Sequence, residues 1–310
     1  VLFPEAGQES NGAFDIPAIF CNGLRRFVSR TLPQTKGDPA MSSYISDNTV
    51  NTRDFHMRPS RVLRRIREGK VASCLKVISS DARIIETFAA SGVDAIWVCT
   101  EHTAANYENI EHQVRAAKAF DVDLVVRCPR GSYSDHIRGF EADAAGVMVP
   151  HVMNVADARN VVNMTKFKPL GNRACDGGNA DGLYTRIPYT RYLEEANRER
   201  FVIHQIEDVE PLAQLEEIAA LPGVDMLFFG PGDYSTCIGI PGQIWAPEVD
   251  KVRRRVAKVA RDAGKIAGTV ATPEKLKELA DMGYNFLNGG GDVSALAAAS
   301  NMVMDAFARL

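Results

Sequence analysis

The feature that most constrains this chain is a rhythm that begins at residue 59. Short apolar runs rich in Val, Ile and Phe alternate with longer segments whose apolar residues recur at helical spacing. The runs at 71–79, 94–100, 122–128, 144–150, 201–205, 225–230, 266–271 and 284–288 read as strands. Helices are predicted at 82–92, 109–120, 132–142, 154–167, 209–221, 246–265, 272–283 and 291–310. A lead-in helix is predicted at 59–70, with Pro59 at its start, and a further helix at 190–200. Eight strands, each followed by a helix, predict an α/β fold of the (β/α)8 TIM barrel type. An open doubly wound sheet would normally carry a Gly-rich fingerprint after its first strand, and the segment VISSDAR at 77–83 has none.

Residues 1–58 follow no such period and hold Pro4, Pro17, Pro33 and Pro39. They are expected to form a flexible or loosely docked N-terminal extension to a barrel domain spanning 59–310. The Arg-rich stretch 23–32 resembles a targeting helix, but Glu5, Glu9 and Asp15 precede it without an apolar core, which argues against a signal. The net charge of −3, with both signs interspersed, offers no basic face to nucleic acid or an anionic membrane. No apolar run approaches the roughly 20 residues of a membrane span. The six cysteines lack zinc-type spacing, so reduced thiols in a cytoplasmic protein are expected.

In such barrels chemistry collects at the carboxyl ends of the strands. Those ends read Glu101-His102, Arg127, Pro150-His151, Gln205 with Glu207, Gly230-Pro231-Gly232-Asp233, and a run of three glycines at 289–291. Glu207 and Asp233 lie one β-α-β repeat apart, so neighbouring strands bring them together. Two carboxylates without a nearby cysteine suit a hard divalent cation, Mg²⁺ or Mn²⁺ with Co²⁺ also possible; the alternative is a pair of helix-capping acids. Arg127 ends an apolar strand and needs an anionic partner, either a structural acid or a substrate carboxylate or enolate. His102 is a candidate for proton transfer or a structural histidine. Trp97 reads as core or pocket wall. His204 falls on the opposite strand face from Gln205 and is expected to pack. The loop GPGDYS at 230–235 reads as a turn with exposed amides beside an acid. The long irregular stretch 168–188 is expected to cover a site. Met302, Met304 and Phe307 suggest an apolar helix face for another subunit.

Taken together, TEH at 100–102, VVRCP at 125–129, AAGVMVPHV at 144–152, GNRACDGG at 171–178, QIED at 205–208 and GPGDYS resemble the HpcH/HpaI aldolase family. These are class II, metal-dependent pyruvate aldolases related to the citrate lyase β-subunit. The likeness runs from about residue 60 to the C-terminus. His151 after VMVP, with Trp97 before TEH, adds a looser similarity to macrophomate synthase.

The resemblance implies an aldol lyase that reversibly cleaves a 4-hydroxy-2-oxo acid, of the 2-keto-3-deoxy sugar acid type, to pyruvate and an aldehyde through an enolate. It implies metal ligation by Glu207 and Asp233, enolate stabilisation by Arg127 and acid/base work by His102. Gln205, Gly230, Pro231 and Gly232 would line the 2-oxo acid pocket, with Trp97 and His151 beside it. It also implies a homo-hexamer with an exchanged C-terminal helix. Three positions depart from the family pattern. Cys99 stands where an acid is usual. Glu141 replaces the Asp that partners the histidine across subunits, and Asp143 replaces a glycine. Ala174 replaces the last glycine of a GxRG element. Oxaloacetate decarboxylation or a macrophomate-synthase-like condensation would use the same enolate. A non-catalytic 2-oxo-acid-binding protein is the alternative of another class.

Overall fold

Eight parallel strands pair in sequence order, and the last returns to the first to close the barrel. The computed structural model describes residues 54–310, so the expectation for the extension lies, over residues 1–53, outside the described residues. The elements follow in order: α1 (Arg61–Arg67), β1 (Ala72–Val77), α2 (Ala82–Ala90), β2 (Ala95–Cys99), α3 (Tyr107–Lys118), β3 (Asp123–Arg127), α4 (Tyr133–Glu141), β4 (Gly146–Val149) and α5 (Val155–Thr165). Then come α6 (Tyr189–Glu199), β5 (Phe201–Ile206), α7 (Leu215–Ala220), β6 (Met226–Phe229), α8 (Pro231–Cys237), α9 (Pro247–Asp262), β7 (Ile266–Val270), α10 (Leu276–Met282), β8 (Phe286–Gly291) and α11 (Asp292–Phe307).

Side chains alternate between the two faces of each strand. Cys74, Trp97, Val125, Met148, Ile203, Phe228 and Phe286 therefore fill the lumen. The residues between them, such as Val77, Val98, Val126 and Val147, pack outward against the helices. The same parity buries His204 in the outer layer, opposite Gln205, as its place in the run predicted. Residues 54–60 are tied to the amino-terminal face. Met57 N–H donates to Glu195 (2.7 Å), and Ser60 and Arg58 donate to the buried Asp123 (2.5 Å each).

Two expectations change. GPGDYS is not a turn: Pro231 opens α8, because its missing N–H costs nothing at a first helical position and Asp233 suits the first turn. The helix expected at 209–221 divides into a 3₁₀ segment, Glu210–Gln214, and α7. The stretch 168–188 runs along α4, and the N–H of Ala174 donates to the hydroxyl of Tyr133 (2.6 Å), the first residue of that helix. It leaves α5 near the amino-terminal face, and its flanks Phe167, Ile187 and Tyr192 cluster there with Met57. Arg173 anchors it, donating to buried Asp181 (2.9 Å) and lying 4.6 Å from the Phe167 ring centroid.

Position 143 explains its own departure from glycine. Asp143 has φ 70°, in the left-handed region where glycine is easiest to place. Its buried carboxylate accepts from Arg200 (2.5 Å) and from Lys118. Burial raises its pKa, but those two cations outweigh burial and hold the carboxyl below its usual range.

Among the described residues the outer face of β1 and β8 is covered only in part, with Ile85 and Ala89 of α2 packed against Val77 of β1. A groove of about 610 Å³ runs there, lined in part by Leu75, Val93, Leu276, Ala280 and Leu287. α11 starts beside it, where Asp292 accepts from the amides of Ile78 (3.0 Å) and Ser79 (2.9 Å). Beyond Asp292 it leaves Leu296, Met302, Met304 and Phe307 at least 60% exposed.

Candidate active site

The carboxyl rim carries the polar groups. Glu207, just after β5, is fully buried. Its Oε1 accepts the backbone N–H of His151 (2.9 Å), and its Oε2 accepts from Gln205. Burial pushes its pKa up to about 7, and the nearby charge of Asp233 adds to this. His151 and Arg127 pull the other way. Asp233 is exposed, in the first turn of α8. That turn leaves the amides of Gly232 and Asp233 without intrahelical acceptors. Gly230 makes the arrangement possible, since a Cβ there would lie 2.5 Å from Glu207 Oε2 and 3.1 Å from Gln205 Nε2.

His151 reaches Glu207 through an unusual backbone, with φ 49°. Its Nδ1 lies 2.9 Å from Asp208 Oδ2 and 3.7 Å from Glu207 Oε1. Burial disfavours the charged ring, but the Asp208 hydrogen bond and the charge of Glu207 outweigh it and raise the pKa.

Arg127 ends β3 with its guanidinium buried. Its Nε lies 3.0 Å from Glu101 Oε2, and Nε and Nη2 face the Cys99 sulfur at 3.3 and 3.2 Å. Its Cζ sits 5.0 Å from the Trp97 ring centroid. Both sequence readings of Arg127 thus stay available, because Glu101 is a partner that a ligand could share. His102 is exposed, with Nε2 3.4 Å from Glu101 Oε2.

Glu141 does not join this group within the chain. It is the last residue of α4, which starts after the β3 rim and runs toward the other end of the barrel. There burial raises its pKa, Arg173 opposes the rise, and Asp181 and Asp176 add to it. Trp97 forms the floor of the rim, 3% exposed.

Sequence reasoning missed Lys76 and Asp208. Lys76 sits inside the apolar run 71–79, where only strand ends were read. Its alternation with Ala72 and Cys74 was the available signal. Asp208 lies next to Glu207 and was read only as part of a motif.

The donors suit a hard divalent cation. Glu207 is a buried carboxylate with no cationic side chain within 3.5 Å, and the Oε1 of Gln205 beside it is buried without a hydrogen-bond partner. Among the described residues no group of three or more His, Cys, Asp or Glu is placed to hold a metal. Two carboxylates would therefore leave coordination positions for water and substrate oxygens.

Residues 73–299 match the family model described as HpcH/HpaI aldolase/citrate lyase. The chain belongs to this family. The 2-keto-3-deoxy-L-rhamnonate aldolase of Escherichia coli (strain K12) is 30% identical over 230 residues, 74% of this chain and 85% of that protein. Among solved structures, an HpcH/HpaI aldolase from Desulfitobacterium hafniense DCB-2 is 28% identical with a TM-score of 0.75, covering 80% of this chain and 96% of that one. The citrate synthase SbnG is 27% identical with a TM-score of 0.73, covering 79% and 96%. As a member of the HpcH/HpaI family the chain is a carbon–carbon lyase of the class II pyruvate aldolase type, a class that works with a divalent metal.

Proposed function

We propose that the protein reversibly cleaves a 4-hydroxy-2-oxo acid, of the 2-keto-3-deoxy sugar acid type, to pyruvate and an aldehyde. The observation that carries this reading is Glu207, fully buried, raised to a pKa of about 7 and facing the same rim as Arg127. Such a carboxylate is costly unless a cation completes it. Glu207 and Asp233 would hold that cation, Mg²⁺ or Mn²⁺ by their oxygen donors, with Co²⁺ also compatible. When bound, it supplies Lewis acidity at the 2-oxo group.

The chain's own residues would do the rest. The amides of Gly232 and Asp233, with Pro231 fixing the turn, would take the substrate carboxylate. Arg127, held by Glu101 and Cys99, would donate to the oxygen that gains charge as the C3–C4 bond breaks. His102, exposed at the rim, would take the proton of the C4 hydroxyl on cleavage and return it on synthesis. Gln205 would fix Glu207, and His151 would fix it through its amide. Trp97 would floor the pocket. Because α4 carries Glu141 away from its own rim, any partnership with His102 would come from Glu141 of the partner subunit.

That partnership is part of a hexameric reading. The apolar length of α11 and the open groove over β1 and β8 are complementary, which supports exchange of α11 between neighbouring copies. A cytoplasmic setting accords with the unpaired thiols of Cys74, Cys99 and Cys128. In the described residues no helix is long and apolar enough to cross a membrane.

The test is pyruvate-dependent turnover over a panel of aldehydes, with Mg²⁺, Mn²⁺ or Co²⁺ and with chelator, alongside oxaloacetate as a competing donor of the enolate. Metal-dependent aldol turnover that disappears in Glu207→Ala and Asp233→Ala supports the reading. Full metal-dependent activity in both variants refutes it. Binding of metal and pyruvate without turnover of any substrate would instead mark a 2-oxo-acid-binding protein.

A further inference from the structure

Ser235 is a fully buried hydroxyl that the proposed mechanism does not use. Its Oγ donates to the carbonyl of Gly232 (2.7 Å) and accepts the N–H of Gly242 (3.1 Å). The Ile240 N–H donates to the Ser235 carbonyl (2.9 Å), so the loop 238–246 meets this residue twice. Gly242 takes φ 78°, a region glycine enters easily, where the chain turns back to Ser235. The far end of the loop is fixed as well. Arg253 of α9, fully buried, donates to the carbonyl of Ile244, and its Cζ lies 4.3 Å from the Trp245 ring centroid.

The carbonyl that Ser235 holds belongs to the peptide between Gly232 and Asp233. A peptide unit is planar and trans, so its C=O and N–H point in opposite directions. Drawing the oxygen toward the buried hydroxyl aims the Asp233 N–H the other way, to the side of the turn where Gly232 and Asp233 are exposed. The donors follow in order, Gly242 N–H, Ser235 O–H and Asp233 N–H, and each link polarises the next. The last of them is an amide assigned above to the substrate carboxylate. Thr236 Oγ1 also faces the Gly232 oxygen, at 3.3 Å, but Thr236 is exposed. Among the described residues its hydroxyl receives no hydrogen bond from the loop.

We propose that Ser235 is a positioning residue for the 2-oxo acid, acting through the Gly232–Asp233 peptide to aim the Asp233 N–H at the substrate carboxylate. This rests on the 2-oxo acid reading of the site given above. The carboxylate keeps its charge throughout the reaction, so a contact to it counts equally in the ground state and the transition state. Misalignment of that contact raises the Kd and KM of the 2-oxo acid and leaves kcat nearly unchanged. Metal affinity in the absence of the 2-oxo acid rests on the side chains of Glu207 and Asp233, and it holds.

The test is calorimetric titration of the full chain with Mn²⁺, then of the Mn²⁺-loaded protein with pyruvate. It is run on the wild type, Ser235→Ala, Ser235→Cys and Thr236→Val. Pyruvate affinity is expected to fall about fivefold or more in Ser235→Ala, the range of one lost hydrogen bond. It should fall about threefold or more in Ser235→Cys, whose thiol is a weaker donor. Thr236→Val should keep pyruvate affinity within about twofold, and all three variants should keep Mn²⁺ affinity within about twofold. In aldol turnover the loss should appear in the KM of pyruvate, with kcat within about twofold. Smaller losses of pyruvate affinity overturn the role of Ser235 and leave the 2-oxo acid reading standing. A parallel fall in Mn²⁺ affinity or kcat, or an equal loss in Thr236→Val, also overturns that role, because it marks a general brace for the helix. If Ser235→Ala does not fold, Ser235→Cys, close to serine in shape, decides by its own factor. Failure of the wild type to bind pyruvate with Mn²⁺ overturns both readings.

Discussion

Gly230 offers the sharpest test of how the rim is built. Its φ of −98° suits any residue, so Gly230→Ala adds no backbone strain. The new Cβ would instead lie 2.5 Å from Glu207 Oε2 and 2.8 Å from Glu207 Cβ. Ordinary contact needs about 3.5 Å, so one partner must move by about 1 Å. Glu207 cannot retreat without losing the His151 amide or the Gln205 donor, since it is fully buried. Overpacking of this kind costs about 1–3 kcal/mol of stability. A 1 Å displacement of a positioned group costs about 10²-fold in rate. Gly230→Ala should therefore remain folded, lose only a few degrees of Tm, and fall about a hundredfold in kcat. Its metal affinity, measured by calorimetry, should weaken in parallel. A variant with wild-type kcat and metal affinity would show that Glu207 is not held where its contacts put it.

Other consequences can be measured without a substrate. Asp143→Gly relieves about 1–2 kcal/mol of left-handed backbone strain but leaves Arg200 buried and short of its carboxylate, at about 3–5 kcal/mol. The net expectation is a loss of about 2 kcal/mol in chemical denaturation, and a gain would refute the compensation. His204 is fully buried, and burial lowers its pKa to about 4. The unfolded chain protonates this ring near pH 6.5 and the folded chain does not, so stability should fall by about 3 kcal/mol between about pH 6.5 and pH 4. His204→Leu should remove that part of the pH dependence, and an unchanged slope in the variant would sink the assignment. Deleting residues 293–310 should lower the number of subunits per assembly in analytical ultracentrifugation, and an unchanged number would remove α11 from the interface.

The barrel was legible because burial on both faces writes itself into the chain. Parallel strands read as continuous apolar runs, and each of the eight was recognisable before its partners were known. The nature of the rim at 101, 127, 207 and 233 was legible for the same reason, since polar residues follow apolar runs there. What was not legible depended on distance in space. α8 looked like a turn because a helix of seven residues has too few positions to show a period. Lys76 hid inside a strand because its charge matters only once the ring closes and sets it with Arg127 over the Trp97 indole. Asp143 read as a departure from pattern until Arg200 and Lys118, far off in sequence, were seen to hold it.

His151 gives Glu207 its hydrogen bond through the main chain, not the side chain. That hydrogen bond is therefore independent of the side chain at position 151, while the imidazole, 3.7 Å away, acts on the carboxylate only through its charge. What must be inherited is a backbone at φ 49°, which Gly, Asn and Asp also enter readily. An alanine scan reading side-chain loss alone would score this position for its contact with Asp208 and would not register the amide. Drift at 151 is free to retune the imidazole while the anchor beneath it is passed on with the turn.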